Sequence, residues 1–310
     1  MWQAYEIATS VEGALAILDR YGGRARLIAG GTDLVIELQE GKRQVECLVD
    51  ITRIPGLDRI EQHGEQSDWI TLGANVTFRQ IKESPLLQQH ARVLVDAAAT
   101  VAALQIQAVA TLVGNLVNAM PAADGSVALT ALDAEAEVAG SSGRTWRPIG
   151  DLFLGPGRSA VDPARQMITA IRFRALQAGQ GSAWGRIGRR RALTLPILNC
   201  GVSVGLDDSR ERFTWARIGL GPVATVPFRA REAEAFLAGR PAGDEIYSLA
   251  AEIAAGECHP RSSLLRASKE YRVEALKVLI RRGLASAVAN SLSTLGRPLS
   301  SATQRGAGPG

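Results

Sequence analysis

Ile28-Ala29-Gly30-Gly31-Thr32-Asp33-Leu34 and, farther along, Thr111-Leu112-Val113-Gly114-Asn115 are two glycine-centred turns, each entered from an apolar stretch. Gly30, Gly31 and Gly114 lack a Cβ and accept positive φ, so an anion can approach the backbone and meet bare amides. Thr32, Thr111 and Asn115 supply neutral side-chain donors. A strand over 26–29 is expected to run into the first turn, and a helix from Leu34 to Leu38 to follow it. Thr32 and Asp33, both good N-cap types, would place the positive helix end at the anion. Asp124 disfavours a phosphate, but its carboxylate suits ribose or ribityl hydroxyls. There is no third glycine at Rossmann spacing and no Gly-Lys-Ser/Thr ending. A dinucleotide would therefore be held another way, and the competing reading of each turn is a plain tight turn and helix cap.

Outward from the turns, Thr9 and Glu12 read as the capping box of a short helix ended by Gly22-Gly23. Strands are expected over 46–51 and 69–73, and Thr77 is expected to cap a helix from Phe78 to Glu83. The alanine-rich span from Leu86 to Leu104 reads as one long helix. A helix over 124–132 and strands around Gly140-Ser141-Ser142-Gly143 follow. The pattern lacks a regular βαβ repeat, which argues α+β. Gln177 to Ser182 reads as a linker or hairpin tip, after which 197–206 and 213–220 alternate like antiparallel strands. Helices are expected over 230–238, 245–254 and 269–281, and the Ser-, Gly- and Pro-rich end is expected to be disordered.

Hydrophobic residues at 46% and charged residues at 21% exclude disordered and fibrous classes. The start lacks a secretory pattern and Val93–Val117 carries too many polar groups to cross a bilayer, so no membrane-spanning segment and a cytoplasmic location are expected. Cys47, Cys200 and Cys258 are too scattered for a metal or iron-sulfur site. Residues 1–150 hold 12 Lys and Arg against 18 Asp and Glu, leaving 23 against 13 beyond. Only Arg186, Arg189, Arg190 and Arg191 cluster, without interleaved aromatics, so a solvated or subunit-facing surface is expected and nucleic acid is not. His63, His90 and His259 read as ordinary surface histidines.

The two turns, together with Met120-Pro121-Ala122-Ala123-Asp124, resemble the FAD-binding medium subunits of the molybdenum hydroxylases, the group that includes xanthine dehydrogenase and carbon monoxide dehydrogenase. The likeness continues in Gly73-Ala74-Asn75-Val76-Thr77, in Ala216-Arg217-Ile218-Gly219-Leu220-Gly221-Pro222-Val223-Ala224 with Pro227-Phe228-Arg229-Ala230, and in Tyr271-Arg272 with Leu279-Ile280-Arg281-Arg282. It implies a two-lobed FAD-binding domain of the PCMH type over 1–176. A small C-terminal domain of antiparallel sheet plus helices would occupy 177–286, with a disordered tail over 287–310.

The resemblance also implies that Ala29, Gly30, Gly31, Thr32, Asp33 and Leu34, with Thr111, Val113, Gly114 and Asn115, wrap the FAD diphosphate. Asp124 would bond FAD hydroxyls and Ile168 would sit beside the flavin; read alone, Ile168 is a core strand residue. No catalytic acid or base and no metal ligand is implied in this chain. The implied partners are a small subunit with [2Fe-2S] clusters and a large subunit with the molybdenum-pterin cofactor, as a dimer of heterotrimers, the flavin passing electrons to an external acceptor. Two departures stand out. Val113 replaces a second glycine, and a β-branched residue resists positive φ; Arg191-Ala192-Leu193-Thr194-Leu195 replaces a usual aspartate and aromatic. The alternatives are a self-contained flavin oxidoreductase and a scaffold that has lost its flavin.

Overall fold

The computed structural model describes residues 2–62, 68–190, 193–263 and 267–293. The chain begins with β1 (Ala4–Ile7), α1 (Val11–Tyr21), β2 (Ala25–Ile28), α2 (Leu34–Gln39) and β3 (Cys47–Asp50). The three strands form a parallel sheet in the order β1-β3-β2. This is a local βαβ arrangement inside an α+β chain. Ser10, not Thr9, caps α1 by accepting from the Gly13 amide, and Gly22 ends the helix in the left-handed region. Val11, Ala14 and Leu18 are the buried face of α1.

The second lobe contains β4 (Ile60–Gln62), β5 (Trp69–Gly73), α3 (Phe78–Glu83), α4 (Pro85–His90), α5 (Arg92–Thr100), α6 (Leu104–Gln107), α7 (Leu112–Val117) and α8 (Asp124–Ala131). It continues with β6 (Glu135–Gly140), β7 (Gly143–Pro148), the short pair β8 (Phe153–Gly155) and β9 (Arg158–Ser159), and β10 (Met167–Arg174). An antiparallel sheet runs β4-β5-β10-β6-β7, with Ile70, Leu72, Val138, Ile171 and Phe173 in the core. Thr77 and Gln80 form a reciprocal capping box on α3. The expected long helix over Leu86–Leu104 is broken into α4, α5 and α6. Ala91 leaves helical geometry at φ −153° and Ala102 takes φ 41°, each turning the chain so that the next segment can pack. His90 Nδ1 lies 2.9 Å from the Leu176 carbonyl, tying the end of α4 to the end of β10.

The C-terminal part contains β11 (Gln180–Ile187), β12 (Leu198–Leu206), β13 (Phe213–Gly221), β14 (Phe228–Arg229), α9 (Arg231–Leu237), α10 (Asp244–Glu257) and α11 (Lys269–Ser293). Its sheet runs β11-β12-β13-β14, all antiparallel. Gln180–Ser182, expected in a linker, already belong to β11. Likewise α11 runs to Ser293, so residues 287–293 are helical rather than tail, and 294–310 lie outside the described residues. The helix persists because Leu284, Ala287 and Ser291 remain buried against the sheet.

Glycines let helices lie directly on both sheet faces. A Cβ on Gly219 would stand 2.6 Å from Val127 O of α8, and one on Gly181 would stand 2.2 Å from Ala287 O of α11. α8 thus sits between two hydrophobic clusters, one spanning 8–175 and one spanning 183–287. Arg229 ties them further, bonding Asp133 just beyond α8 and pairing with Glu234 of α9 at 2.8 Å.

Candidate functional site

The first turn leaves the C-terminal end of β2, where chain direction reverses into α2. Gly31 adopts φ +66°, and a Cβ there would also press on Ile28 Cδ1 at 3.0 Å. Asp33 precedes α2 but its side chain makes no cap bond, contrary to the expected N-cap role. The amides of Ala29, Gly30, Gly31, Thr32, Asp33 and Leu34 have no acceptor among the described residues, and none of the six residues is buried. Consecutive free N–H groups in and beside a left-handed turn form a concavity suited to an anion. Desolvation, with Glu37 nearby, holds the Asp33 carboxyl above its ordinary range.

The second turn is brought against the first. A Cβ on Gly30 would stand 2.0 Å from the Val109 carbonyl oxygen, so only glycine allows this approach. The segment is stitched to the residues after β5: Phe78 N donates to Ala110 O, and Leu112 N donates to Val76 O. Thr111 caps α7, its Oγ1 accepting from Gly114 N at 3.0 Å. The Gly114 amide is therefore not bare, which corrects the expectation; the Thr111 and Val113 amides are the ones without an acceptor among the described residues. Val113 lies inside α7 and is absent from the positive-φ residues, so its β-branch meets no backbone conflict.

Asn115 Oδ1 accepts from Ser126 N at 3.2 Å, steadying the start of α8 and leaving Nδ2 without a partner among the described residues. Gly125 permits this contact, since a Cβ there would lie 2.7 Å from Asn115 Oδ1. Asp124, the first residue of α8, is 7% exposed. Its Oδ1 accepts from Asn199 Nδ2 at 2.7 Å and from Arg186 Nε at 3.4 Å. Burial pushes the carboxyl up from its ordinary value, with Asn199 and Arg186 opposing. Arg186 also donates to the Thr194 carbonyl. It is a buried partner of Asp124 rather than part of a solvated basic surface, whereas Arg189 and Arg190 are exposed. Sequence reasoning missed Arg186 and Asn199 because both pairings span more than sixty positions, |i−j| being 62 and 75.

Ile168 is 3% exposed and pairs with Val138 across β10 and β6, where the ladder register shifts before Ala170. It is a core strand residue, and α7 packs against its strand. His63, Arg191 and Ala192 lie outside the described residues.

A cavity of about 400 Å³ opens elsewhere, between the start of α1, residues 54–57 and the five-stranded sheet. Glu12, Glu61 and Glu137 line it beside Arg59 and Arg144, and Arg144 pairs with Glu12 across it at 2.9 Å. Three carboxylates make that cavity a poor seat for a phosphate, so the turns remain the candidate. Cys47, Cys200 and Cys258 are free and buried; desolvation pushes the Cys258 thiol up to about 12. Among the described residues no helix is long and apolar enough to cross a membrane, and no group of three His, Cys, Asp or Glu could hold a metal ion.

The chain matches the model of the FAD binding domain in molybdopterin dehydrogenase over residues 2–173. It matches that of the CO dehydrogenase flavoprotein C-terminal domain over 185–287. It is 32% identical to the nicotinate dehydrogenase FAD-subunit of Eubacterium barkeri, over 69% of this chain and 72% of that one. It is 29% identical to the xanthine dehydrogenase FAD-binding subunit of Escherichia coli O157:H7, over 86% and 89%. A solved carbon monoxide dehydrogenase from Hydrogenophaga pseudoflava superposes with a TM-score of 0.87 at 28% identity, covering 94% of this chain and 98% of that one. With a glycine turn that admits an anion, a second turn pressed on it and two family models in sequence, this chain belongs to the FAD-binding subunits of the xanthine and carbon monoxide dehydrogenase family of oxidoreductases.

Proposed function

We propose that this chain holds FAD between its two turns and passes electrons from the [2Fe-2S] clusters of a partner subunit to an external acceptor. The observation that carries the reading is the run of free amides from Ala29 to Leu34, closed on one side by the Val109 carbonyl and the Thr111 turn. In it, those amides and the Thr32 hydroxyl hold the diphosphate, together with the Thr111 and Val113 amides and Asn115 Nδ2. Gly30, Gly31 and Gly114 serve by leaving room. Asp124 offers Oδ2 to a ribose or ribityl hydroxyl, and Ile168 contributes apolar packing behind the flavin. Bound FAD supplies the ability to take electrons singly and release them as a pair; the chain's own part is to place the ring, with no acid-base residue required.

The same reading makes residues 1–176 the FAD-binding domain and 177–286 the C-terminal domain. It also takes a large molybdenum-cofactor subunit as second partner, in a cytoplasmic dimer of heterotrimers. Leu104 and Ile106 of α6, and Val109, whose carbonyl meets Gly30, are exposed and offer a partner an apolar surface. The test is purification of the chain with whatever copurifies. Denaturation should release FAD, with iron and molybdenum in the associated chains; a complex without flavin would end the proposal.

A further inference from the structure

We propose that Asn199 is a positioning residue of the flavin site: its amide grips one oxygen of Asp124 and leaves the other facing the ligand, so that the C-terminal sheet completes a site otherwise built by the first half of the chain. This rests on the reading above, in which Asp124 accepts from a flavin-nucleotide hydroxyl. Asn199 is 0% exposed, and both protons of its side-chain nitrogen have acceptors, Asp124 Oδ1 at 2.7 Å and the Ala122 carbonyl at 3.2 Å. The opposite amide orientation would set its oxygen against those two oxygens, so the hydrogen-bond network itself assigns the flip. Its own Oδ1 is buried without a partner, beside Gly221, where a Cβ would come within 2.5 Å.

An unsatisfied buried oxygen is unfavourable, and an apolar side chain would serve a purely structural role better. What the asparagine achieves that an apolar residue cannot is orientation of Asp124. Arg186 from β11 is the charged group facing that carboxylate among the described residues, and it reaches the same Oδ1 at a longer 3.4 Å. With both donors on Oδ1, Oδ2 accepts from nothing among the described residues.

The test measures FAD dissociation constants of the full chain, stripped of flavin and titrated, for wild type, Asp124→Asn, Asn199→Ala and the double variant. Each single change should weaken FAD by about tenfold, the scale of one hydrogen bond to a charged group. The double variant should be no weaker than Asp124→Asn alone, because Asn199 acts through Asp124. Additive losses, or an Asn199→Ala chain that binds FAD like wild type, would overturn the proposal. So would an Asp124→Asn chain with unchanged affinity, while a Gly30→Ala chain that loses FAD would show the turn reading intact. If Asn199→Ala does not fold, Asn199→Asp decides. A protonated carboxyl can donate to Asp124 as the amide does and an ionised one cannot, so affinity relative to wild type at the same pH should fall by about tenfold or more as rising pH ionises the coupled pair. A pH-independent Asn199→Asp chain would equally sink the idea.

Discussion

Gly30 lies flat against the carbonyl of Val109, with 2.0 Å between that oxygen and the place a Cβ would occupy. This contact between residues far apart in the chain turns two separate bends into one cradle. Gly30→Ala must move backbone, which typically costs about 1–3 kcal/mol. Flavin retained on purification, read as the ratio of flavin to protein absorbance, should fall sharply. At Gly114 a Cβ would meet Thr111 Oγ1 at 3.0 Å among the described residues and without positive φ, so in urea the flavin-free Gly114→Ala chain should unfold closer to wild type than flavin-free Gly30→Ala. Equal destabilisation of the two flavin-free variants would contradict the assignment of the close approach to Gly30.

The Thr111 hydroxyl caps α7 through the Gly114 amide. Thr111→Ala should lower stability by about 1 kcal/mol, whereas Thr111→Ser should retain most of it. Urea unfolding of the three chains checks the order.

Tyr5 donates to Asp50 Oδ2 at 2.7 Å. Burial would raise the Asp50 carboxyl, but hydrogen bonds from Thr52 and Tyr5 outweigh it, and the net shift is downward. A depressed carboxyl contributes stability that is complete above its unfolded pKa and disappears as pH falls through the folded value. Tyr5→Phe should therefore cost about 1 kcal/mol near neutrality, and the gap from wild type should close in acid. Urea midpoints across an acid series would show it; a gap that widens toward low pH would contradict the linkage.

Arg229 joins Asp133, Glu234 and, through Glu234, the Ile218 amide, which donates to Glu234 Oε1 at 2.8 Å. Arg229→Met leaves Glu234 buried and unpaired, a loss of about 3–5 kcal/mol. Glu234→Gln keeps an acceptor for the Ile218 amide and should cost less. Thermal unfolding should rank wild type above Glu234→Gln and Glu234→Gln above Arg229→Met.

Elements whose signals are local were legible from the residues. The strand Trp69–Gly73 and the helix Phe78–Glu83 with its Thr77 cap stand where alternation and capping place them. The long helix over 86–104 was not, because alanine-rich sequence tolerates helix everywhere, whereas the break at Ala91 lets α5 pack on β11 and the break at Ala102 lets α6 pack on α3. At the site, the glycines and their neighbouring donors could be named in advance. The engagement of the Gly114 amide by Thr111, and of Asp124 by Arg186 and Asn199, could not.

What the sequence by itself determined is where the backbone can turn tightly and which side chains can donate there, since glycine's freedom and a hydroxyl's reach are properties of single residues. Only the tertiary structure decided how the two turns close on each other and which oxygen of Asp124 is gripped, because that depends on groups brought in from elsewhere in the chain. The Val109 carbonyl against Gly30 and the Asn199 amide on Asp124 come from far along the chain, and no local pattern encodes their approach.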